Sequence, residues 1–274
     1  MTAPVFHLDP LPSTDVFVLS GAEGRHAATV RRLRSGERLD VTDGAGTALE
    51  CEVGSVGRDE LECVVLRRRE VPAPVPRLVV AQALAKGDRG ELAVEMMTEA
   101  GVDEIVPWAA SRCVVRWEGE RGERSRARWD RTAREAAKQS RRLVWPEVGG
   151  LVTTAALARR ARQAALAVVL HETASTPVAG LARGLQVPRA VPAPAPPPGI
   201  PGTPGMSGAA PGAPAVPEVL LVVGPEGGVS EEELGALTAA GAVAGRLGPT
   251  VLRTSTAGVV AAAVVLADIG RLGG

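Results

Sequence analysis

One segment decides the fold class: Leu220-Leu221-Val222-Val223-Gly224-Pro225-Glu226-Gly227-Gly228-Val229-Ser230-Glu231-Glu232-Glu233-Leu234. It predicts a buried strand, a glycine-rich turn and a helix that begins at Ser230, because Ser230 and Glu233 have the spacing of a capping box. In open α/β folds such a turn lies at the carboxyl edge of the sheet, where ligands bind. The spacing fits neither G-x-G-x-x-G nor the phosphate loop, so dinucleotide and nucleoside triphosphate sites are disfavoured. On these residues alone, a structural turn and a ligand-binding loop remain equally open.

Two other segments predict loops at strand ends. Leu170-His171-Glu172 ends the apolar run ALAVVL, and the stretch from Arg246 to Ala257 contains a second glycine turn that leads into a final apolar helix. Thr254 or Ser255 is a candidate N-cap for that helix. Three such loops at the strand ends of one sheet predict a shared pocket.

The rest of the chain divides into two domains by its composition. Residues 1–72 contain short apolar runs separated by Gly and Asp, including the turn Asp43-Gly44-Ala45-Gly46, and this pattern predicts a small domain of antiparallel strands. The proline-rich stretch Val71 to Pro76 predicts a stiff linker. Residues 73–274 alternate strand and helix patterns, which predicts an α/β fold with a largely parallel sheet. Within it, residues 188–217 hold 11 of the 22 prolines and predict a disordered surface insertion.

Composition limits the class of protein. The chain has 274 residues, of which 45% are hydrophobic and 23% charged, so it can bury a sizeable core. It lacks an apolar run of the roughly 20 residues that a membrane span needs. The first ten residues, MTAPVFHLDP, lack the pattern of a secretory signal, which predicts a cytoplasmic protein. Its three cysteines, Cys51, Cys63 and Cys113, do not have zinc-ligand spacing, so no metal is expected.

Basic residues cluster although the net charge is zero, with 31 basic and 31 acidic residues. One cluster runs from Arg25 to Arg34, and a second lies on a predicted helix, Arg121 to Arg142, that Trp129 anchors. Because there is no global field, a polyanion would have to bind to such local patches. A solvated charged face is the alternative for about half of these arginines.

Two motifs are distinctive, GPEGG before an acidic helix and LGPTVLRTSTA some twenty residues later. They resemble motifs of the ribosomal RNA small subunit methyltransferase E family of the SPOUT superfamily. Upstream, KGDR at residues 86–89, TEAGV at residues 98–102, Ser111-Arg112, Arg128-Trp129, EAAKQSRR at residues 135–142 and Pro146 also match the family. His26, Val30, Arg32 and Gly36 match its H-x-x-x-V-x-R-x-x-x-G run. The match covers most of the chain outside the proline-rich insertion.

The resemblance implies a PUA-like β-barrel domain followed by an α/β domain with a trefoil knot. It also implies a homodimer that binds S-adenosylmethionine and methylates N3 of a uridine in 16S rRNA. The residues expected to line the cofactor site are Leu170, His171, Glu172, Gly224, Pro225, Glu226, Gly227, Gly228, Leu247, Gly248, Leu252, Arg253 and Thr254.

Roles for individual side chains follow from the resemblance and from the chemistry. Arg253 and Arg112 are candidates to stabilise the uridine anion, and Glu226 is a candidate to orient one of them or to take the proton. The residues expected to contact RNA are Arg25, His26, Arg32, Arg34, Lys86, Arg89, Arg128, Lys138 and Arg142.

One position departs from the family. The family usually has L-R-x-E-T-A where this chain has LRTSTA, so Ser255 replaces a carboxylate. If that carboxylate only caps the last helix, serine substitutes well. If it served catalysis, the chain would be an RNA-binding assembly factor that has lost its activity. An α/β enzyme that acts on a small substrate is a third hypothesis, which the basic cluster of the first domain disfavours.

Overall fold

The computed structural model describes residues 3–185 and 216–272 and contains two sheets. Residues 188–215 of the predicted insertion lie outside the described residues.

The first sheet has five strands in the order β1-β3-β4-β5-β2. The strands are β1 (Val5–His7), β2 (Val16–Leu19), β3 (Arg38–Thr42), β4 (Thr47–Val56) and β5 (Leu61–Glu70). Three of the four neighbouring pairs are antiparallel, but β1 and β3 are parallel, so the antiparallel prediction is wrong for that pair. The reason is connectivity, since β2 and a helical segment separate β1 from β3 along the chain.

The turn between β3 and β4 is the predicted one. Asp43 Oδ1 accepts hydrogen bonds from the N–H groups of Ala45, at 2.7 Å, and Thr47, at 3.0 Å. Gly44 and Gly46 have φ values of +75° and +116°, which side chains with a Cβ rarely adopt. The local pattern of Asp and Gly is therefore sufficient to fix this hairpin.

The basic cluster lies between β2 and β3. It begins with helix α1 (Gly21–Arg25), continues as a π-helical turn (His26–Val30) and ends in a loop before β3. Ala27 is buried against the sheet, whereas Arg25, Arg32 and Arg34 are exposed.

The second sheet has seven parallel strands in the order β10-β12-β9-β11-β6-β7-β8. Its strands are β6 (Arg77–Ala83), β7 (Glu104–Trp108), β8 (Glu147–Val148), β9 (Leu166–Leu170), β10 (Thr176–Pro177), β11 (Glu218–Val223) and β12 (Val243–Arg246). The predicted parallel sheet is confirmed. Because all the strands run in one direction, the loops that follow them meet at one carboxyl edge.

Helices cover both faces of this sheet. They are α2 (Arg89–Ala100), α3 (Gly119–Gln139), α4 (Thr154–Ala161), α5 (Glu231–Ala239) and α6 (Thr254–Asp268). Met97 of α2, Trp129 of α3 and Val265 of α6 share one core, and Leu157 of α4 and Leu237 of α5 share the core on the opposite face. Gly101, with φ +104°, ends α2.

The end of α3 connects the two sheets. Trp145 packs on Gly44, where a Cβ would lie 2.8 Å from the indole ring, and the His7 ring lies 4.5 Å from the Trp145 ring. Lys138 on α3 forms an ion pair with Glu23 of α1. The domain boundary between residues 72 and 73 remains a prediction, and it falls in the connection between β5 and β6.

Candidate active site

A cavity of about 490 Å³ lies at the carboxyl edge of the parallel sheet, over β9, β11 and β12. The three predicted loops all contribute to it, and so do all thirteen residues predicted to line a cofactor site. Those residues are Leu170, His171, Glu172, Gly224, Pro225, Glu226, Gly227, Gly228, Leu247, Gly248, Leu252, Arg253 and Thr254. The geometry therefore brings together residues that are up to 84 positions apart, from 170 to 254. Their role as ligand contacts remains a prediction.

The glycine-rich loop has a conformation that needs glycine. A Cβ on Gly224 would lie 2.9 Å from the Val229 side chain, and Gly228 has φ +73°. The N–H of Gly228 donates to the Pro225 carbonyl at 2.9 Å, which closes the turn. The capping box at Ser230 and Glu233 then begins α5, as predicted. At its three glycines the loop thus brings backbone without a side chain to the wall of the cavity.

The last loop differs from its prediction at the start of α6. Arg253 occupies the N-cap position, so neither Thr254 nor Ser255 caps the helix. Thr254 Oγ1 instead donates to the Gly224 carbonyl at 2.7 Å and accepts from Gln82 Nε2 at 3.0 Å. Thr254 therefore joins the glycine-rich loop, β6 and α6. Ser255 is 3% exposed and does not belong to the cavity wall.

Glu226 is held in place at the cavity. Its Oε1 accepts hydrogen bonds from the backbone N–H of Lys86 and from Arg89 Nη1, each at 3.1 Å. Burial raises the pKa of Glu226, but hydrogen bonds from its own N–H, from Lys86 and from Arg89 outweigh burial and hold that pKa below its ordinary value. Glu226 is therefore a poor proton acceptor and a stable negative charge. Arg89, predicted to contact RNA, also lines the cavity.

The two candidate catalytic arginines lie in different places. Arg253 is exposed and lines the cavity. Arg112 does not belong to the cavity wall, because its Nη1 donates to the carbonyls of Gly227, at 3.1 Å, and Val229, at 3.5 Å. The structure therefore gives Arg112 contacts that support the loop, whereas the prediction placed it at the reacting atoms.

Two of the nine residues predicted to contact RNA have structural contacts. Arg142 donates to the carbonyls of Thr98, at 2.9 Å, and Val102, at 2.6 Å, and lies 3.5 Å from Asp103. Burial lowers the pKa of Arg142 to about 10, although the Asp103 carboxylate opposes that shift. Lys138 is paired with Glu23. The Arg142 guanidinium is held inside the protein, so we remove Arg142 from the RNA surface. RNA contact by the half-buried Lys138 stays a prediction.

The remaining predicted RNA contacts are accessible. The exposed side chains are those of Arg25, Arg32, Arg34, Lys86, Arg89 and Arg128, and His26 is half-buried, with its ring 5.9 Å from the ring of Phe6. Arg25 lies 3.8 Å from Asp59 and Arg128 lies 3.3 Å from Glu91. Exposed pairs of this kind are weak, so they leave these guanidinium groups available to a polyanion.

The sequence analysis missed other parts of the cavity wall. These residues are Val223, Val229, Gly245, Arg246, Thr250, Val251 and Ala257. All of them except Gly245 lie within the predicted loop segments, although they were not among the residues expected to line the site. Glu233 was predicted only as a capping residue, yet its Oε1 also accepts from the Ser111 N–H at 2.7 Å and from Thr154 Oγ1 at 3.1 Å. Ser111 and Glu233 are 122 positions apart, so no local sequence pattern predicts their hydrogen bond.

Two negative findings apply to residues 3–185 and 216–272. Within these ranges no three His, Cys, Asp or Glu side chains are grouped as a metal site would require. None of the helices described there is both long and apolar enough to cross a membrane.

Comparison with known proteins identifies the class. Residues 71–195 and 202–266 match the RNA methyltransferase domain, and residues 19–66 match the RNA methyltransferase PUA domain. A methyltransferase of Legionella pneumophila, solved in complex with the bound cofactor S-adenosylmethionine, is 26% identical and superposes with a TM-score of 0.74 over 97% of this chain and 98% of its own. The fold and the site are thus those of an RNA methyltransferase with an N-terminal PUA domain. The predicted architecture, a PUA-like domain followed by an α/β methyltransferase domain, is confirmed, and the trefoil knot stays a prediction.

More similar sequences narrow the class to one family. Ribosomal RNA small subunit methyltransferase E of Mycobacterium bovis is 44% identical over 270 residues, which cover 97% of this chain and 92% of that protein. The protein of the same name from Bacillus subtilis is 30% identical, over 91% of this chain and 89% of its own. The chain belongs to the ribosomal RNA small subunit methyltransferase E family.

Proposed function

We propose that this protein transfers a methyl group from S-adenosylmethionine to N3 of a uridine in 16S rRNA, in the cytoplasm and as a homodimer. The observation that carries the proposal is the convergence of the three predicted loops on one cavity at the carboxyl edge of the parallel sheet. Family membership supports the reaction class, and the Legionella complex supports the cofactor.

The cavity fits this cofactor in size and in charge. Its volume of about 490 Å³ lies within the range of roughly 300–1,000 Å³ that is typical of small-molecule sites. S-adenosylmethionine supplies an activated methyl group on a positively charged sulfonium. The wall carries carboxylates, on Glu172 and Glu226, and three arginines, Arg89, Arg246 and Arg253. Such a mixed lining suits a ligand that carries an ammonium, a sulfonium and a carboxylate, as S-adenosylmethionine does. Backbone at Gly224 to Gly228 lets a flat ligand approach closely.

The side chains at the cavity suit attack by a uridine N3. The nitrogen becomes a nucleophile when its proton leaves, and the ring oxygens then carry negative charge. Arg253 is exposed at the cavity wall, and no ion pair joins its guanidinium to a carboxylate in the part of the chain that the structure describes. We assign Arg253 to stabilise that charge. Because the pKa of Glu226 is lowered, this carboxylate is better suited to orient Arg89 than to take the proton from the uridine N3.

Helix α6 supports the homodimer. Its 15 residues contain a single charged side chain, Asp268. One face is buried in the core, while Val259, Val260 and Val264 on the other faces remain half-buried. A helix that is apolar all round is normally buried. A second copy of the chain would cover this surface.

The inactive assembly factor is the weaker hypothesis. It rests on Ser255, but Ser255 is absent from the cavity wall. The serine at this position therefore contributes no group to the cavity. Retained activity in the unmodified chain would exclude this alternative.

The cofactor site is tested by filling it. Gly248 lines the cavity, and a Cβ there would meet no atom within 4 Å, so Gly248→Leu adds a side chain at the cavity wall with no clash at its Cβ. Gly150 has equally open surroundings outside the cavity wall, so Gly150→Leu is the matched control. We expect Gly248→Leu to weaken S-adenosylmethionine binding in calorimetry by about tenfold or more, while the control binds normally. Normal binding by Gly248→Leu would place the cofactor elsewhere.

A further inference from the structure

A second cavity, of about 230 Å³, opens at the same carboxyl edge. The segment after β7 forms most of its wall, with Ala109, Ser111, Arg116, Trp117 and Glu118, and Leu151 after β8 completes it. None of the sequence motifs assigned it a role. Its volume lies below the roughly 300–1,000 Å³ of drug-sized ligand sites, so it suits a single flat ring system and not a second whole cofactor.

The second cavity lies along the same sheet edge as the first, with one strand between them. In the sheet order, β9 and β11 lie beneath the first cavity and β7 and β8 beneath the second, with β6 between them. Three strand spacings from β9 to β7 correspond to about 14 Å. The turn after β6 carries Lys86 and Arg89, both exposed. The edge therefore presents a cavity, a basic turn and a second cavity in a row, which is the order that a single strand of RNA would need.

The wall of the second cavity has the chemistry of a base site. Trp117 is half-buried and packs edge-on against Trp129 with ring centroids 4.9 Å apart, so the core holds the ring in place. Arg116 is exposed, and no ion pair involves it within the described ranges. The Glu118 carboxylate can accept from an exocyclic amine of a base. Aromatic rings and guanidinium planes are the groups on which unstacked bases stack.

We propose that this cavity binds an unstacked nucleobase of the substrate RNA that lies close to the methylated uridine. The inference rests on the proposed function, because it assumes that the RNA enters the first cavity. Recognition is by stacking and by polar contacts at the rim, and phosphate binds to the basic turn between the cavities. Binding of a neighbouring base would fix the register of the strand, so that one particular nucleotide reaches the methyl donor.

The two cavities also share structural supports. Ser111, in the wall of the second cavity, donates its N–H to Glu233 Oε1 at 2.7 Å. Arg112 follows it and holds the carbonyls of Gly227 and Val229, which belong to the wall of the first cavity. A base bound against this segment would stabilise it in the conformation that supports the glycine-rich loop. RNA and cofactor would then favour each other's binding.

The test fills the second cavity and leaves the first unchanged. Ala109 is exposed in its wall, so Ala109→Leu reduces its volume, and Ala155→Leu on the exposed face of α4 is the matched control. Kinetics use small ribosomal subunits that lack the native modification. We expect Ala109→Leu to raise the KM for these particles by about fivefold or more, as expected for the loss of one stacked base. The Kd for S-adenosylmethionine, measured in the absence of RNA so that the coupling does not enter, should stay within about twofold of that of the unmodified protein.

A second measurement does not depend on catalysis. Single-stranded hexamers of adenosine or uridine are titrated while tryptophan fluorescence is recorded. We expect the oligonucleotides to quench the fluorescence of the unmodified protein and of Ala155→Leu. The quenching should be weaker in Ala109→Leu and in Arg116→Ala. This result would support the base site even if methyl transfer fails. Unchanged KM for particles and unchanged quenching in Ala109→Leu would overturn the proposal. A shift of Ala109→Leu to a smaller oligomer would also overturn it, because a second copy would then cover the cavity.

Discussion

The Glu233 carboxylate accepts a hydrogen bond of 2.7 Å from the Ser111 N–H, across 122 positions of the sequence. The same carboxylate accepts from the N–H and the hydroxyl of Ser230, both at 3.1 Å, which completes the capping box of α5. Thr154 Oγ1 donates to it as well. Glu233 therefore joins the end of the glycine-rich loop to the segment that carries Arg112.

Replacing Glu233 tests this connection. Glu233→Gln retains the length of the side chain but loses the charge that four donors share. We expect the free energy of unfolding to fall by about 1–3 kcal/mol in urea titrations, because one carboxylate oxygen becomes an amide NH2 and the donors that faced it lose their acceptor. The KM for S-adenosylmethionine should rise as the loop loosens. Unchanged stability together with unchanged KM would contradict the role of Glu233.

The same residue predicts a pH dependence. Burial raises the pKa of Glu233, but hydrogen bonds from Ser111, Ser230 and Thr154 outweigh burial and hold that pKa below its ordinary value. A carboxyl whose pKa is lower in the folded state stabilises the fold above its unfolded-state pKa and loses that contribution as the pH falls through the folded-state pKa. The stability advantage of the unmodified protein over Glu233→Gln should therefore shrink below about pH 4. Urea titrations of both proteins from pH 7 to pH 3 measure it. An advantage that grows on acidification would contradict the assignment.

Arg112 is predicted to position the loop and not to contact the reacting atoms. Arg112→Ala removes the donor to the Gly227 and Val229 carbonyls. We expect roughly a tenfold rise in the KM for S-adenosylmethionine, since a charged donor is lost, with a smaller change in kcat. Arg159→Ala, on the exposed side of α4, is the control. A large fall in kcat with an unchanged KM would instead return Arg112 to the catalytic group.

Thr254 is predicted to join three segments. Thr254→Val preserves the shape but leaves the Gly224 carbonyl without its donor and Gln82 Nε2 without its acceptor. A loss of about 1–3 kcal/mol in unfolding free energy is expected, with weaker cofactor binding. Thr238→Val on exposed α5 breaks bonds only within its own helix and should change stability by less than about 0.5 kcal/mol. Equal effects of the two substitutions would contradict this prediction.

Substitution of Arg34 on the proposed RNA surface and of the buried Arg142 should have opposite effects on RNA binding and on stability. Arg34 is exposed, so Arg34→Ala should reduce the slope of log affinity against log salt by about 0.7–0.9 for the one lost phosphate contact. Arg142→Ala breaks a buried charged network and should cost about 3–5 kcal/mol of stability while leaving that slope unchanged. Filter binding of a 16S rRNA fragment at several salt concentrations, together with urea titration, measures both quantities. If the slope of log affinity against log salt falls more in Arg142→Ala than in Arg34→Ala, Arg142 belongs to the RNA surface after all.

Local patterns predicted the parts of the fold that depend on neighbouring residues. Ser230 and Glu233 begin α5, and the Asp43 to Gly46 turn forms a hairpin, because each of these depends on residues a few positions apart. The thirteen cavity residues came from the family resemblance, and the parallel sheet explains why their loops meet. Partners distant in sequence could not be predicted. Arg142 donates a hydrogen bond to a carbonyl 44 positions away, so nothing in the sequence around it distinguished it from a surface arginine.

The central claim is the chemical identity of the product. Small ribosomal subunits without their native modification are incubated with this protein and S-adenosylmethionine that carries a labelled methyl group, and the nucleosides of the digested RNA are identified by mass. The account predicts 3-methyluridine, formed by the unmodified protein and strongly reduced in Gly248→Leu. A different methylated nucleoside, or no transfer by a protein that binds the cofactor, would contradict it.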